Sequence, residues 1–268
     1  MKKIVKYLSL LTIIISLFTI FATQSFASDG ETQSVVIDGV GTFSYTVEDN
    51  EITITKFETN KTGITLNIPS EYEGMKITKI GDKAFKDVNG NALTKIVVPD
   101  TVTYVGNYAF YNRTTTEIVI PNTLKYIGNY AFSHCYKMTA NDLYIPEGAE
   151  YIGHCAFEDA SLNSVTIADQ ENFKMGSSVF DSCSMMNGIK MGNFKDCDLG
   201  SAFGSAYRAN LTFGDMENVR IGNGYCFKVV ATAKSLFAKC NIFHIPKGYI
   251  SKIGSKKETI SDSDIFQS

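Results

Sequence analysis

Histidine and cysteine are the side chains of this 268-residue sequence whose chemistry would be most specific, and they stand side by side twice, as His134-Cys135 and His154-Cys155. Four such groups could ligate zinc, which takes nitrogen and thiolate donors in a tetrahedron. A cysteine beside a histidine could also serve as a nucleophile, given a base within hydrogen-bond reach and an oxyanion site. The sequence favours neither. The two pairs fall at different phases of the surrounding pattern, and neighbours in an extended segment face opposite ways, so the four side chains are expected to diverge. No nucleophile elbow, glycine-rich phosphate loop or paired carboxylates accompany them. The expectation is a protein that is not an enzyme and holds no metal and no cofactor.

Tyrosine offers a different chemistry, rigid contact area with a polar tip, which suits recognition surfaces. Tyr104, Tyr126 and Tyr151 occupy equivalent places in three near-identical phrases, with Tyr108 and Tyr130 forming a second such pair. Like side chains stacked between neighbouring strands also stabilise a sheet by roughly 0.2–1 kcal/mol per pair. A structural ladder and a binding strip are compatible readings of the same residues.

The elements that position these side chains are set by a repeat. Ile96–Phe110 reads IVVPDTVTYVGNYAF and Ile118–Phe132 reads IVIPNTLKYIGNYAF, their prolines 22 residues apart. The closing phenylalanines Phe85, Phe110, Phe132, Phe157, Phe180, Phe203 and Phe227 are spaced 25, 22, 25, 23, 23 and 24 residues. Each unit opens on an alternating strand, with Leu66/Ile68, Ile96/Val98, Ile118/Ile120, Leu143/Ile145, Val165/Ile167, Ile189/Met191 and Leu211/Phe213 inward. Pro69, Pro99, Pro121 and Pro146 end the first four strands, since proline removes a ladder donor. A shorter extended piece follows, with Ile80, Val105, Ile127, Ile152, Met175, Leu199 and Ile221 inward. A glycine comes next (Gly81, Gly106, Gly128, Gly153, Gly176, Gly200, Gly222), read as a corner at positive φ. An Ala-Phe plug then leads into a polar return, read as a short helical or 3₁₀ turn.

The phrase I-x-I-P-x-x-(V/L)-x-x-I-G-x-x-A-F resembles the BspA-type leucine-rich repeat of bacterial surface proteins, over about residues 43–250. It is sharp in four units and eroded later, where Ala168, Gly192 and Gly214 replace the proline. The resemblance implies a β-rich (α/β-type) leucine-rich-repeat solenoid of about seven rungs of 22–25 residues, used for adhesion or protein recognition, with no catalytic residues to carry over.

Residues 1–27 read as a secretory signal: Lys2, Lys3 and Lys6, an apolar core, then Ser25-Phe26-Ala27 as the cleavage site. Residues 28–61 alternate in three short runs and read as an N-terminal β-hairpin cap, 62–246 as the solenoid, and 247–268 as a C-terminal cap and tail. The mature chain carries 22 Lys+Arg against 28 Asp+Glu, a formal charge of −6, with no basic block for nucleic acid and no second apolar span for a membrane. Six cysteines at scattered phases read as compact core residues rather than a disulfide framework.

Function in a solenoid lies on columns of outward residues. One column is Asn67, Val97, Val119, Tyr144, Thr166, Lys190, Thr212 and His244; the other is Lys79, Tyr104, Tyr126, Tyr151, Lys174, Asp198 and Arg220. The expectation is an exported, non-enzymatic, adhesin-like module at the cell surface or secreted, binding a host matrix or cell-surface protein or glycoprotein. A structural envelope component acting by self-association is the alternative.

Overall fold

The period-two alternation of apolar and polar residues folds into short strands, and the 22–25-residue period stacks them. The structure is a computed structural model that describes residues 30–113, 116–138, 142–184, 186–203, 210–221, 228–231, 241–242 and 250–253. Long strands pair in parallel from rung to rung, as in Lys95↔Glu117, Ile96↔Ile118 and Val97↔Val119. Short strands do the same on the other side of the core, Lys79↔Tyr104↔Tyr126↔Tyr151↔Lys174. Every inward residue named above whose side chain is described is buried, and Phe85, Phe110, Phe132, Phe157 and Phe180 are fully so. Their rings form one column, with centroids 5.0, 5.2, 5.3 and 5.9 Å apart and planes within 11°. Phe203 continues it at 6.2 Å. Aromatic pairs of this kind add about 0.5–1.5 kcal/mol each beyond the area they bury.

The returns are not helical. Each turns through an i→i−3 bond (Lys86 N–H to Lys83 O, Ser133 N–H to Tyr130 O), but its first residue has positive φ: Lys83 59°, Tyr108 56°, Tyr130 55°, Cys155 50°, Ser178 53°. A left-handed residue cannot propagate a right-handed helix. Among the described residues no helix forms, and the β-rich leucine-rich-repeat solenoid expected from the sequence is observed there with turns in place of helical returns.

At the N-terminal side β1 (Gln33–Ile37), β2 (Gly41–Glu48) and β3 (Glu51–Glu58) make an antiparallel meander. Asp49 and Asn50, at φ 50° and 61°, form the tight turn. β3 then pairs in parallel with Met75–Ile80, and Phe57 sets its ring 5.7 Å from that of Phe85. The phenylalanine column therefore begins one place earlier than the repeat suggests.

The corner glycines serve a different purpose from the one expected. Of those described, only Gly200 has positive φ, at 47°. The others are glycine because the rungs touch there. A Cβ on Gly128 would lie 2.5 Å from the Asn107 backbone nitrogen and 2.6 Å from the Gly106 carbonyl carbon; Gly106, Gly153 and Gly176 are as crowded. Beside this contact runs a polar ladder. Asn107 N–H donates to Asp82 Oδ1 at 2.7 Å, Asn129 N–H to Asn107 Oδ1 at 2.8 Å, and His154 N–H to Asn129 Oδ1 at 2.7 Å.

The later, proline-less rungs are a second regular type. Ala168, Gly192 and Gly214 each have the N–H that proline lacks, and each donates it to the previous rung, to Ile145 O, Ile167 O and Met191 O at 2.8–3.0 Å. The chain then makes an extra strand, Gln170–Glu171, Phe194–Lys195 and Met216–Glu217, paired in parallel. Asn172, Asp196 and Asn218 follow at φ 60°, 53° and 52°. Asp169, Asn193 and Asp215 form a second polar ladder at 2.8 and 2.9 Å.

The last rungs are also in a different register. Asn210–Phe213 pairs with Lys228–Ala231, which pairs with Ile250–Ile253, so Val230 and Lys252 follow Thr212 in the long-strand column. His244 lies outside the described residues, and Asn241-Ile242 pairs with Arg220-Ile221 as a short strand. Residues 1–29, which hold the expected signal, and Cys226, Phe227 and Cys240 also lie outside them.

Gly128→Ala is expected to cost about 3 kcal/mol, the upper range for forcing extra volume into a packed site. Gly90→Ala, where a Cβ meets nothing within 4 Å, should change stability by no more than about 1 kcal/mol. Denaturant unfolding of the two variants checks the contrast.

Candidate functional site

The short-strand column emerges as one registered strip. Lys79, Tyr104, Tyr126, Tyr151 and Lys174 pair in sequence, and isolated bridges carry it on to Asp198 and Arg220. Tyr104 and Tyr126 stack at 4.5 Å and 10°, and Tyr151 leans on Tyr126 at 5.3 Å and 35°. All three are half-buried. Burial, and then the neighbouring phenol, pushes the Tyr104 and Tyr126 hydroxyls above their ordinary range. The Tyr151 hydroxyl donates to Asn129 Oδ1 at 3.3 Å, and because ring faces cover one another, the strip presents ring edges outward. The Arg220 guanidinium lies 2.6 Å from Asp198 and, with the Gly200 N–H, holds that carboxyl below the usual carboxylate range against the opposing effect of its burial.

The long-strand column is not continuous. Asn67, Val97 and Val119 share one three-stranded sheet, whereas Tyr144, Thr166, Lys190 and Thr212 line a six-stranded one. Between them Ile118 bridges to Met138, which is buried, and not to Leu143. Eleven residues separate Phe132 from Leu143, against eight between Phe110 and Ile118. The extra length interposes Met138. The similarly long return after Phe85 is absorbed by a register shift between Ile64 and Thr65. Tyr144, 40% exposed, therefore starts a new face rather than extending that of Val97 and Val119.

The histidine–cysteine pairs behave differently from each other. Cys135 is fully buried, its thiol donating to Phe110 O at 3.2 Å, while His134 faces out with Nδ1 3.1 Å from Asp159. His154 and Cys155 do not diverge: Sγ lies 3.4 Å from Nε2. The expectation of opposed side chains fails because Cys155 has φ 50° and is not in an extended segment. His154 Nδ1, 2.9 Å from Ser177 O, donates to that carbonyl. The pair still holds no thiolate. Burial, then Glu158, pushes the Cys155 thiol up to about 11, although the Tyr130 hydroxyl opposes them. Among the described residues no three His, Cys, Asp or Glu side chains converge on a metal position.

Tyr111 and Tyr136 escape a reading by columns alone, and they join the Tyr108/Tyr130 pair to the histidines. Tyr111 sits edge-on to both Tyr108 and His134, at 5.5 and 5.6 Å, and His134 edge-on to Tyr136 at 6.2 Å. Tyr108 and Tyr130 stack at 4.9 Å, and His154 meets Tyr130 edge-on at 5.2 Å. Their sequence signal was the clustering of aromatics in three rungs. Arg113 is buried and donates to the carbonyls of Val88 and Lys86. It holds a return together and is not an anion site.

Cys135, Cys155, Cys183 and Cys197 are free and buried. Burial pushes Cys135 and Cys183 up to about 12, and raises Cys197. Folded values above the ordinary 9.0 mean that this stabilisation is complete below pH 9 and is lost as pH rises toward 11–12. At pH 8 Cys135, Cys155 and Cys183, raised to about 11–12, should react with a disulfide reagent at least roughly 100-fold more slowly in the native protein than in guanidinium, and Cys197 should also be slowed. Counting reactive thiols in both states checks this.

Two solved structures and one family profile resemble the chain. A leucine-rich repeat protein from Bacteroides ovatus ATCC 8483 superimposes with TM-score 0.52 at 22% identity, over 82% of this chain and 61% of that one. The chain thus spans about three-fifths of that protein. A leucine rich cell surface protein from Faecalibacterium prausnitzii A2-165 gives TM-score 0.38 at 19% identity, over 78% of each chain. No curated protein matches the sequence. The profile of the BspA type leucine rich repeat region matches residues 50–187 in six copies. With its stacked rungs and closing phenylalanines, the chain belongs to the BspA-type leucine-rich repeat family.

Proposed function

We propose that the protein is an exported, non-enzymatic recognition module that binds a surface or matrix protein or glycoprotein through the strip Tyr104–Tyr126–Tyr151. The observation that carries this reading is the strip's registry. Three phenols are held outward at one spacing, continued by Lys174, Asp198 and Arg220. A prearranged strip loses little conformational entropy on binding. Val97 and Val119, and separately Tyr144, Thr166 and Lys190, are secondary faces of the same kind.

Leucine-rich repeats generally act through protein contacts, and the signal-like character of residues 1–27 supports reading this one as exported. Among the described residues no helix is long and apolar enough to cross a membrane. Self-association is a second reading, favoured by β1, an edge strand of the nine-stranded sheet whose Val36 is 74% exposed. Unprotected edge strands template pairing.

The test is binding of residues 28–268 to immobilised matrix glycoproteins, to peptidoglycan and to the producing cells, beside the Tyr104→Ala/Tyr126→Ala/Tyr151→Ala variant. Saturable binding to a glycoprotein, weakened at least tenfold in a variant that remains folded, is expected. That fold-change is about 1.4 kcal/mol, the scale of one contact residue of a hot spot. Undiminished binding would overturn the role of the strip. Binding only to itself, with a mass that grows with concentration, would favour the edge-strand reading.

A further inference from the structure

Round the glycine corner from that strip lies a second aromatic surface with a built-in polarity. Equivalent backbone bonds fix its two columns. Lys83, Tyr108, Tyr130 and Cys155 each donate N–H to the next rung, at 2.8–3.0 Å. Three residues on, Lys86, Tyr111, Ser133 and Glu158 each donate back within their own turn. Both columns start on lysine; the first turns aromatic at Tyr108 and Tyr130, and the second passes Tyr111 and the buried Ser133 to end on acid, with Asp181 following Glu158 in the next rung. Lys86 Nζ lies 5.7 Å from the Tyr108 ring centre. At the far end Glu158 accepts from Ser133 Oγ at 3.1 Å, and Asp159 faces His134.

The aromatic residues here occupy places that favour other side chains. Tyr108, Tyr130 and His134 have φ 55–59°, a conformation costing an ordinary residue roughly 1–2 kcal/mol and suited to Gly or Asn. Asn112 holds the equivalent place one rung before His134, at φ 60°. Stacking recovers part of the cost. The rings in the stack turn their partly positive edges outward, an arrangement complementary to carbonyl and carboxylate acceptors, while the Tyr130 hydroxyl is engaged by Cys155.

We propose that this surface seats an extended polypeptide segment of opposed terminal charge, its acidic end over Lys83 and Lys86 and its basic end over Glu158, Asp159 and Asp181. The span of three to four rungs, at about 4.8 Å each, accommodates five or six extended residues at about 3.3 Å each. A uniformly anionic chain such as an acidic polysaccharide fits worse, since its far end would meet three carboxylates. The lysine end also contains Asp82 and Asp87. Asp82 is engaged by the Asn107 backbone and amide, and Asp87 is the carboxylate neighbouring buried Arg113.

Fluorescence anisotropy on residues 28–268 tests this with two labelled hexapeptide pools, Asp-Asp-x-x-Lys-Lys and its reverse. An all-acidic hexapeptide and dextran sulfate are the comparison probes. Saturable binding of at least one bipolar pool is expected, at least tenfold tighter than either comparison probe. It should weaken at least tenfold in Lys83→Glu/Lys86→Glu, with cooperative thermal unfolding showing that this variant remains folded, and in Glu158→Lys. It should persist in the Tyr104/Tyr126/Tyr151 alanine variant, which separates this surface from the strip proposed above. Equal or tighter binding of the polyanions, no binding of either bipolar pool, or indifference to the lysine exchange would each overturn the inference.

Discussion

The spacing of one phenylalanine per rung governs everything else in this molecule. Rings from Phe85 to Phe157 pack 5.0–5.3 Å apart and nearly parallel, close to the ~4.8 Å at which parallel strands pair. A core that is dense in one direction only must be completed rung by rung, because each ring covers the face of the next. The chain has little freedom to widen this spacing locally. Where two backbones meet at the corner, the side chain is therefore absent, as at Gly106, Gly128 and Gly153. Where a turn leaves an N–H pointing along the axis, an Asn or Asp of the preceding rung accepts it. The tyrosine stacks follow from the same distance. They are what identical aromatic positions produce when the core holds their backbones one strand apart.

Within that constraint the molecule has two ways to turn the corner after a long strand. Proline ends the strand outright because it donates nothing to the neighbouring rung. Alanine or glycine in that place donates, at Ala168, Gly192 and Gly214, and the chain continues into a further strand before turning. What looks like decay of the repeat is thus the onset of a second rung with its own buried layer (Phe194 and Met216) and its own outward charges, Glu171 facing Lys195 at 2.9 Å. Gln170 marks the junction, its buried amide donating to Pro146 O of the last proline-type rung at 2.7 Å.

The parts of the fold legible in the sequence are those in which one residue has one cause. Inward Ile and Val positions, the Ala-Phe plug and the parallel register of Tyr104, Tyr126 and Tyr151 follow from period and hydrophobicity alone. The cysteines whose side chains are described behave as compact core residues, as their scattered phases suggest. Sequence and structure part where one residue type has two possible causes. Glycine at a corner signals either positive φ or close approach, and only the neighbouring rung decides between them. His154-Cys155 looked divergent because alternation presumes extended backbone, and Cys155 is left-handed. The long-strand column looked continuous because spacing between phenylalanines does not reveal where in a return the added residues lodge; Met138 does. The last rung was misregistered because Lys228–Ala231 has neither proline nor a following Ala-Phe to mark it.

Stability and recognition are often set against each other when a repeat protein stacks aromatic residues, but here the geometry separates their contributions. Stacking uses the ring faces, so within each column faces are spent on neighbours and contribute to the fold. Ring edges remain outward, while some hydroxyls bond within the protein, as Tyr151 O–H does to Asn129 Oδ1. At Tyr104 and Tyr126 the backbone is an ordinary strand, and a stacked pair there is favourable without any ligand. At Tyr108 and Tyr130 the backbone is left-handed, so the stack must first offset a conformational cost that Asn would largely avoid. The turn itself does not require an aromatic residue, since Lys83, Cys155 and Ser178 hold the equivalent place in other rungs at φ 50–59°. A column kept aromatic where a cheaper residue fits is better explained by what its edges meet than by what its faces hold together.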